Sequence, residues 1–208
     1  MNQQGVRIAI LVEGETEKAF QETLHSFLKG YLQAQQIPMP TLRFIPQRGR
    51  IPKGDKLKRV VENLLYHDGY DAVIALTDVY TGTKDFQNAA DAKQKMNTWV
   101  GNHPDFYPHV ALHDFEAWLL PYWSTIQKKA KHNRAKPGSE PEKVNHDRPP
   151  SYHLKEIFER GQCKESYNKI IHAKAIFKGQ DLTIAIEACP ELKAFINCIL
   201  RLCGASEL

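Results

Sequence analysis

Residues 6–12 (VRIAILV) form a short, nearly unbroken apolar run closed by Glu13-Gly14. Such a run is the pattern of a strand buried on both faces of a parallel sheet. Thr16 then stands where a helix cap would, with Glu17 and Lys18 in the first turn and Ala19, Phe20, Leu24, Phe27, Leu28 and Tyr31 at helical spacing. Residues 42–45 predict a second strand closed by Pro46, followed by a Gly-, Pro- and Arg-rich loop over 47–54. A helix is predicted over 55–67 from Leu57, Val60, Val61, Leu64 and Leu65 on one face. Residues 72–77 (AVIALT) predict a third strand ending at Asp78, then a polar stretch over 80–88 and an amphipathic helix over 89–100. Residues 109–112 predict a fourth strand, which delivers His113-Asp114-Phe115-Glu116 to a further helix that Pro121 limits or kinks. Strand alternates with helix over roughly the first 120 residues, the pattern of a parallel sheet with crossover helices.

Residues 133–152 break the pattern. Pro137, Pro141, Pro149 and Pro150 stand there among charged and small residues, which predicts a long loop, either mobile or ordered by a partner. Only helical patterns follow, over 154–159, 166–177, 182–188 and 190–202, with Pro190 suited to a first helical position. No internal repeat is present. The expected fold class is α/β: an α/β domain over residues 1–125, a loop or linker over 126–152, and a helical C-terminal region over 153–208 packing on the first domain.

Composition changes this picture little. Of 208 residues, 42% are hydrophobic and 25% charged, as in ordinary globular proteins. No stretch approaches the roughly 20 apolar residues of a membrane span. Residues 1–5 carry no basic segment followed by an apolar one, so no signal peptide is expected and the cytoplasm is the expected location. Cys163, Cys189, Cys198 and Cys203 form no CxxC pair, so zinc is not expected and buried reduced thiols are. A net charge of +4 is too mild to indicate nucleic acid, but its distribution says more. Arg43, Arg48, Arg50, Lys53, Lys56, Lys58 and Arg59 face one acid, Asp55, and a second cluster holds Lys128, Lys129, Lys131, Arg134 and Lys136. Each is either a solvated surface or a set of phosphate contacts.

The candidate chemistry lies at the strand ends, where open α/β sheets place their ligands. Glu13 follows the first predicted strand, Asp78 the third, and Asp114 and Glu116 the fourth. A lone acid after a strand is commonly a helix cap, and Glu17 is explained by the helix dipole. Acids at the ends of several strands of one parallel sheet would instead converge, and convergent carboxylates need a cation; hard oxygen ligands suit Mg²⁺ or Mn²⁺. His113 is either structural or a general acid/base. Neither GxGxxG nor GxxxxGK[ST] follows the first strand, and no GxSxG elbow occurs, which disfavours Rossmann or P-loop nucleotide binding and a Ser-His-Asp hydrolase.

The segment Val12-Glu13-Gly14-Glu15-Thr16-Glu17 after an apolar strand resembles the first motif of Toprim domains, and Asp78 resembles the first acid of their DxD motif. The ordered set is similar to a Toprim-like bacterial family, family 4276 of the domains of unknown function. It comprises VEGETE, Asp78-Val79-Tyr80 with Asp85-Phe86, His113-Asp114-Phe115-Glu116-Ala117, Pro149-Pro150-Ser151, Tyr167-Asn168-Lys169 and Cys189-Pro190. The resemblance spans nearly the whole chain. Tyr80 replaces the second acid of DxD, Asp114 stands where the family has Glu, and Tyr152 follows Ser151 in place of a basic residue.

The resemblance implies a Toprim-like, Rossmannoid sheet and metal-dependent phosphodiester hydrolysis in a defence or DNA-processing system with a separate SMC- or ABC-like ATPase. Glu13, Asp78 and Glu116 would hold Mg²⁺ or Mn²⁺, with Asp85 or Asp114 as further candidates for the missing acid. Glu17 or His113 would relay a proton, and Lys169 or Lys155 would neutralise the phosphorus centre. Arg48, Arg50, Lys53, Lys56 and Arg59 would track a nucleic-acid backbone. Two other outcomes stay open: a non-catalytic module that binds and regulates an ATPase or nucleic acid, and a small-molecule phosphohydrolase.

Overall fold

The structure is a computed structural model that describes residues 5–14, 16–80, 85–144, 147–163 and 166–208, with the side chains of residues 16–18 also outside the described set. Four strands, β1 (Arg7–Val12), β2 (Thr41–Pro46), β3 (Ala72–Asp78) and β4 (Phe106–Ala111), form one sheet in the order β2-β1-β3-β4, and every pair is parallel. The first three crossovers are α1 (Thr16–Ala34), α2 (Asp55–Tyr66) and α3 (Ala89–Val100). After β4 come a 3-10 segment (Phe115–Tyr122), α4 (Trp123–Ala130), α5 (Pro150–Arg160), α6 (Lys169–Phe177), α7 (Leu182–Ala188) and α8 (Pro190–Leu202). The parallel sheet with crossover helices and a helical C-terminal part is the architecture expected from the periodicity.

Side-chain alternation along β1 divides the core. Ile8, Ile10 and Val12 pack on one face with Ile74 and Leu76 of β3, under α1 and the C-terminal helices. Ala9 and Leu11 pack on the other with Val73 and Ala75, under Leu57 and Val61 of α2 and Met96 of α3. Both faces of β1 and β3 are therefore dry, which is why their sequences are continuous apolar runs. The first face is the aromatic one. Phe20, Phe115, Trp118 and Phe177 have ring centroids 5.2 to 6.1 Å apart, and Trp118 stacks on Phe195 at 6.0 Å.

Four boundaries depart from the sequence pattern for visible reasons. β4 begins at Phe106, three residues before the predicted start, although Pro108 lies inside it. β4 is an edge strand, where the missing amide of a proline costs no ladder bond. The helix after β4 starts as a 3-10 turn through Pro121 and becomes α-helical at Trp123. α5 begins at Pro150, inside the predicted loop, because proline suits a first helical turn. α6 begins at Lys169 behind Asn168, whose side chain accepts the Ile171 amide at 3.0 Å.

Between α4 and α5 the chain is anchored at two points. The Arg134 carbonyl accepts Trp123 Nε1 and Gln127 Nε2, each at 2.8 Å. Further along, the buried Glu142 carboxylate accepts Trp118 Nε1 at 3.3 Å and the amides of Glu191 and Leu192 at 3.0 and 3.4 Å. It thereby caps α8 from a distant segment. The four cysteines are free thiols, as expected; Cys189 and Cys198 are buried, Cys163 and Cys203 partly so. Among the described residues, no helix is long and apolar enough to cross a membrane.

Candidate functional site

β1 leads outward to β2 on one side, and β3 leads outward to β4 on the other. The carboxyl ends of β1 and β3 are therefore the switch point of the sheet, where ligands of open α/β folds bind. The register pairs Val12 with Leu76 and Asp78 with Ala111. Glu13, one residue past Val12, thus meets Thr77. The Thr77 hydroxyl donates to Glu13 Oε1, and the Asp78 amide donates to the same oxygen at 3.2 Å. Burial raises the Glu13 pKa, against those two hydrogen bonds and the charges of Arg50 and Lys169.

The 3-10 segment brings the next acids. The Phe115 amide donates to Asp78 Oδ1 at 3.0 Å, tying the end of β3 to the segment after β4. Asp114 is wholly buried and Glu116 is 1% exposed. Asp114 Oδ2 accepts the Ser151 amide at 3.1 Å, at the start of α5, while its Oδ1 has no hydrogen-bond partner. Lys169, the first residue of α6, pairs with Glu116 Oε1 at 3.1 Å, and the Tyr167 hydroxyl lies against the same carboxylate. Burial, then the neighbouring Glu116 charge, pushes the Asp114 pKa up, and Ser151 opposes through its side chain and amide. Burial alone would lower the Lys169 pKa, but Glu116, Asp114 and Asp78 raise it. Tyr80, half-buried, has its hydroxyl pKa raised by burial and by Asp114, Asp78, Glu116 and Glu13 together. One phenol is thus within electrostatic reach of four carboxylates.

A cavity of about 110 Å³ opens at this edge. Glu13, Asp78, Tyr80, Arg50, Lys53 and Trp99 are among the residues that line it. Asp85 accepts Lys53 Nζ at 2.5 Å and Arg50 Nη1 at 3.4 Å across the mouth, and Lys53 first, then Arg50, holds its pKa low. The basic loop is itself fixed to β1: the Gln47 amide donates to the Val12 carbonyl at 2.8 Å and the Gly49 amide to that of Glu13 at 2.6 Å. Gly49 has φ 113°, a conformation natural to glycine, which lets the loop fold back over the strand end.

The predicted site residues distribute as follows. Glu13, Asp78, Glu116 and Lys169 come together. Arg50 and Lys53 border the same cavity, whereas Arg48, Lys56 and Arg59 are exposed on the adjoining loop and α2 without lining it. His113 is buried at the head of the 3-10 segment and does not line the cavity. The Glu17 side chain lies outside the described residues. Lys155 is exposed on α5, 4.0 Å from Glu159. Among the second basic cluster, Arg134 pairs with Glu156. Thr77, Ser151 and Trp99 were not singled out by sequence; Ser151 carried a signal in the PPS segment, but Thr77 read as one more strand residue.

A hard divalent cation fits the donors in kind: they are carboxylate oxygens, and the buried Asp114 Oδ1 lacks a hydrogen-bond donor. Among the described residues, no three His, Cys, Asp or Glu side chains already form a ligand group.

No curated protein matches the chain. Among solved structures, the C-terminal region of the Burkholderia pseudomallei OLD protein is similar, with TM-score 0.55 and 14% identity over 95% of this chain and 98% of that one. The C-terminal region of the Xanthomonas campestris pv. campestris OLD protein aligns with TM-score 0.47 and 15% identity over 95% and 94%. The Burkholderia likeness extends the shared fold through the C-terminal helices. The family model of Domain of unknown function (DUF4276) matches residues 12–200, and the chain belongs to that family.

Proposed function

We propose that this protein is a divalent-metal-dependent phosphodiesterase acting on nucleic acid, a Toprim-like nuclease that works with a separate ATPase chain. The observation that carries this reading is the convergence of Glu13, Asp78, Asp114 and Glu116 at the switch point of a parallel sheet. Buried carboxylate oxygens without donors are costly unless a cation joins them. Glu13, Asp78 and Glu116, helped by Asp114, would hold Mg²⁺ or Mn²⁺, which polarises a phosphate and lowers the pKa of bound water. Lys169, released from Glu116, offsets negative charge developing at phosphorus. Arg50 and Lys53 hold the adjoining phosphate, and Arg48, Lys56 and Arg59 extend the contact along the backbone. Proton transfer falls to Glu17 or His113 in this reading.

The test is cleavage of plasmid, linear and single-stranded DNA and of RNA with Mg²⁺ or Mn²⁺, beside Glu13→Gln and Asp78→Asn. Cleavage lost in both variants supports the reading; cleavage that survives both removes this site from the chemistry. Tyr80, standing among the acids in place of a second DxD carboxylate, favours a second reading: a non-catalytic module that binds nucleic acid or regulates an ATPase. Retained nucleic-acid binding without cleavage, even with the ATPase added, selects it.

A further inference from the structure

The cavity beside the acids has a part that phosphodiester chemistry does not use. Part of its lining is apolar and aromatic: Ile51, Phe86, Met96 and Trp99. Phe86 and Trp99 lie with ring centroids 6.0 Å apart and planes inclined by 41°. Ile51, Phe86 and Met96 are buried, whereas the Trp99 side chain is partly exposed. Metal ligands and a phosphate need none of these side chains. Arg50 and Lys53 line the same cavity; the Arg50 side chain is 78% exposed and keeps guanidinium donors beyond the one directed at Asp85. Glu13 and Asp78 border the same cavity.

We propose that this cavity is a nucleobase subsite: it takes one unstacked base of a single-stranded segment onto Trp99, next to the phosphate that meets Glu13 and Asp78. The inference deepens the phosphodiesterase reading and rests on it for the placement of that phosphate. A partly exposed aromatic side chain beside cationic ones is the arrangement that binds single strands, since every base offers a π-face and every linkage a phosphate. A base within an intact duplex is stacked on its neighbours and cannot also stack on Trp99. The occupant is therefore a single strand, a frayed end or a flipped nucleotide, without strong base preference. Asp85, paired with Lys53 and Arg50, offers an acceptor beside the cavity.

The test uses the full chain with Ca²⁺, an oligothymidine single strand and a blunt duplex of equal length. Trp118 and Trp123 are buried, at 0% and 5% exposure, so a change of tryptophan emission on binding reports Trp99. Oligothymidine is expected to quench that emission and the duplex to leave it unchanged. Trp99→Leu is expected to weaken single-strand affinity about ten- to a hundredfold, Trp99→Phe to keep most of it, and neither to alter the salt dependence, since stacking neutralises no phosphate. Unchanged emission at saturating oligothymidine, or equal weakening of single strand and duplex in Trp99→Leu, overturns the subsite. The emission titration needs no variant, so it decides even if Trp99→Leu fails to fold. Quenching without any cleavage would sustain the subsite while removing the nuclease; cleavage untouched in Trp99→Leu with no quenching would do the reverse.

Discussion

Replacing Asp114 by Asn should make the metal-free protein more stable at alkaline pH. Asp114 is wholly buried, one oxygen has no hydrogen-bond partner, and Glu116 lies two residues on. Burial and then the Glu116 charge raise its pKa from 3.8 to about 7. The folded protein therefore keeps a proton that the unfolded chain releases above about pH 4. Stability from this group is full below that pH, falls as pH rises toward about 7, and is lost above it. At about 1.4 kcal/mol per pH unit, the penalty at pH 8 is on the order of 4 kcal/mol. Asn cannot ionise, keeps an acceptor for the Ser151 amide, and turns its amide donors toward the other acids. Urea unfolding in EDTA should therefore find Asp114→Asn more stable than the unaltered protein by about 2–4 kcal/mol at pH 8 and nearly equal to it at pH 4. Glu13 and Glu142, whose pKa values burial also raises, tilt both proteins alike, so the difference isolates Asp114. Added Mg²⁺ should raise the unaltered protein's midpoint at pH 8 and narrow the gap. A variant no more stable than its parent at pH 8 would refute the idea that this carboxylate is held at a cost.

Two packing predictions concern the C-terminal half. Glu142→Ala strands the Trp118 indole N–H and the Glu191 and Leu192 amides; urea unfolding should show a loss of about 2–4 kcal/mol. A Cβ on Gly161 would lie 1.9 Å from the Ala130 carbonyl oxygen, so Gly161→Ala must push α5 from α4 and should cost about 1–3 kcal/mol in the same assay.

How far the sequence carried differs between fold and site. The order of strands and helices was legible because β1 and β3 are buried on both faces, which forces unbroken apolar runs, and because α2 and α3 each show one face to the sheet. The boundaries at Pro108, Pro121 and Pro150 were not, since proline ends an element in isolation but is tolerated on an edge strand, in a 3-10 turn and in a first helical turn. Glu13 and Asp78 were legible as acids after apolar runs. Their partners were not: Thr77 looks like any strand residue, and only the register that sets Val12 beside Leu76 brings it against Glu13.

The sequence by itself determined that acids would stand at the ends of parallel strands and that helices would follow the last strand, because both follow from local periodicity and from the parallel connection. Only the tertiary structure decided which acids meet. Folding the 3-10 segment back against β3 buries Asp114 and Glu116 and brings Lys169 and Ser151, from helices far along the chain, onto them. It also brought Trp99 and Phe86 to the same cavity as Arg50 and Lys53. Those encounters depend on strand register and on how helices pack on the sheet, and no spacing along the chain encodes either.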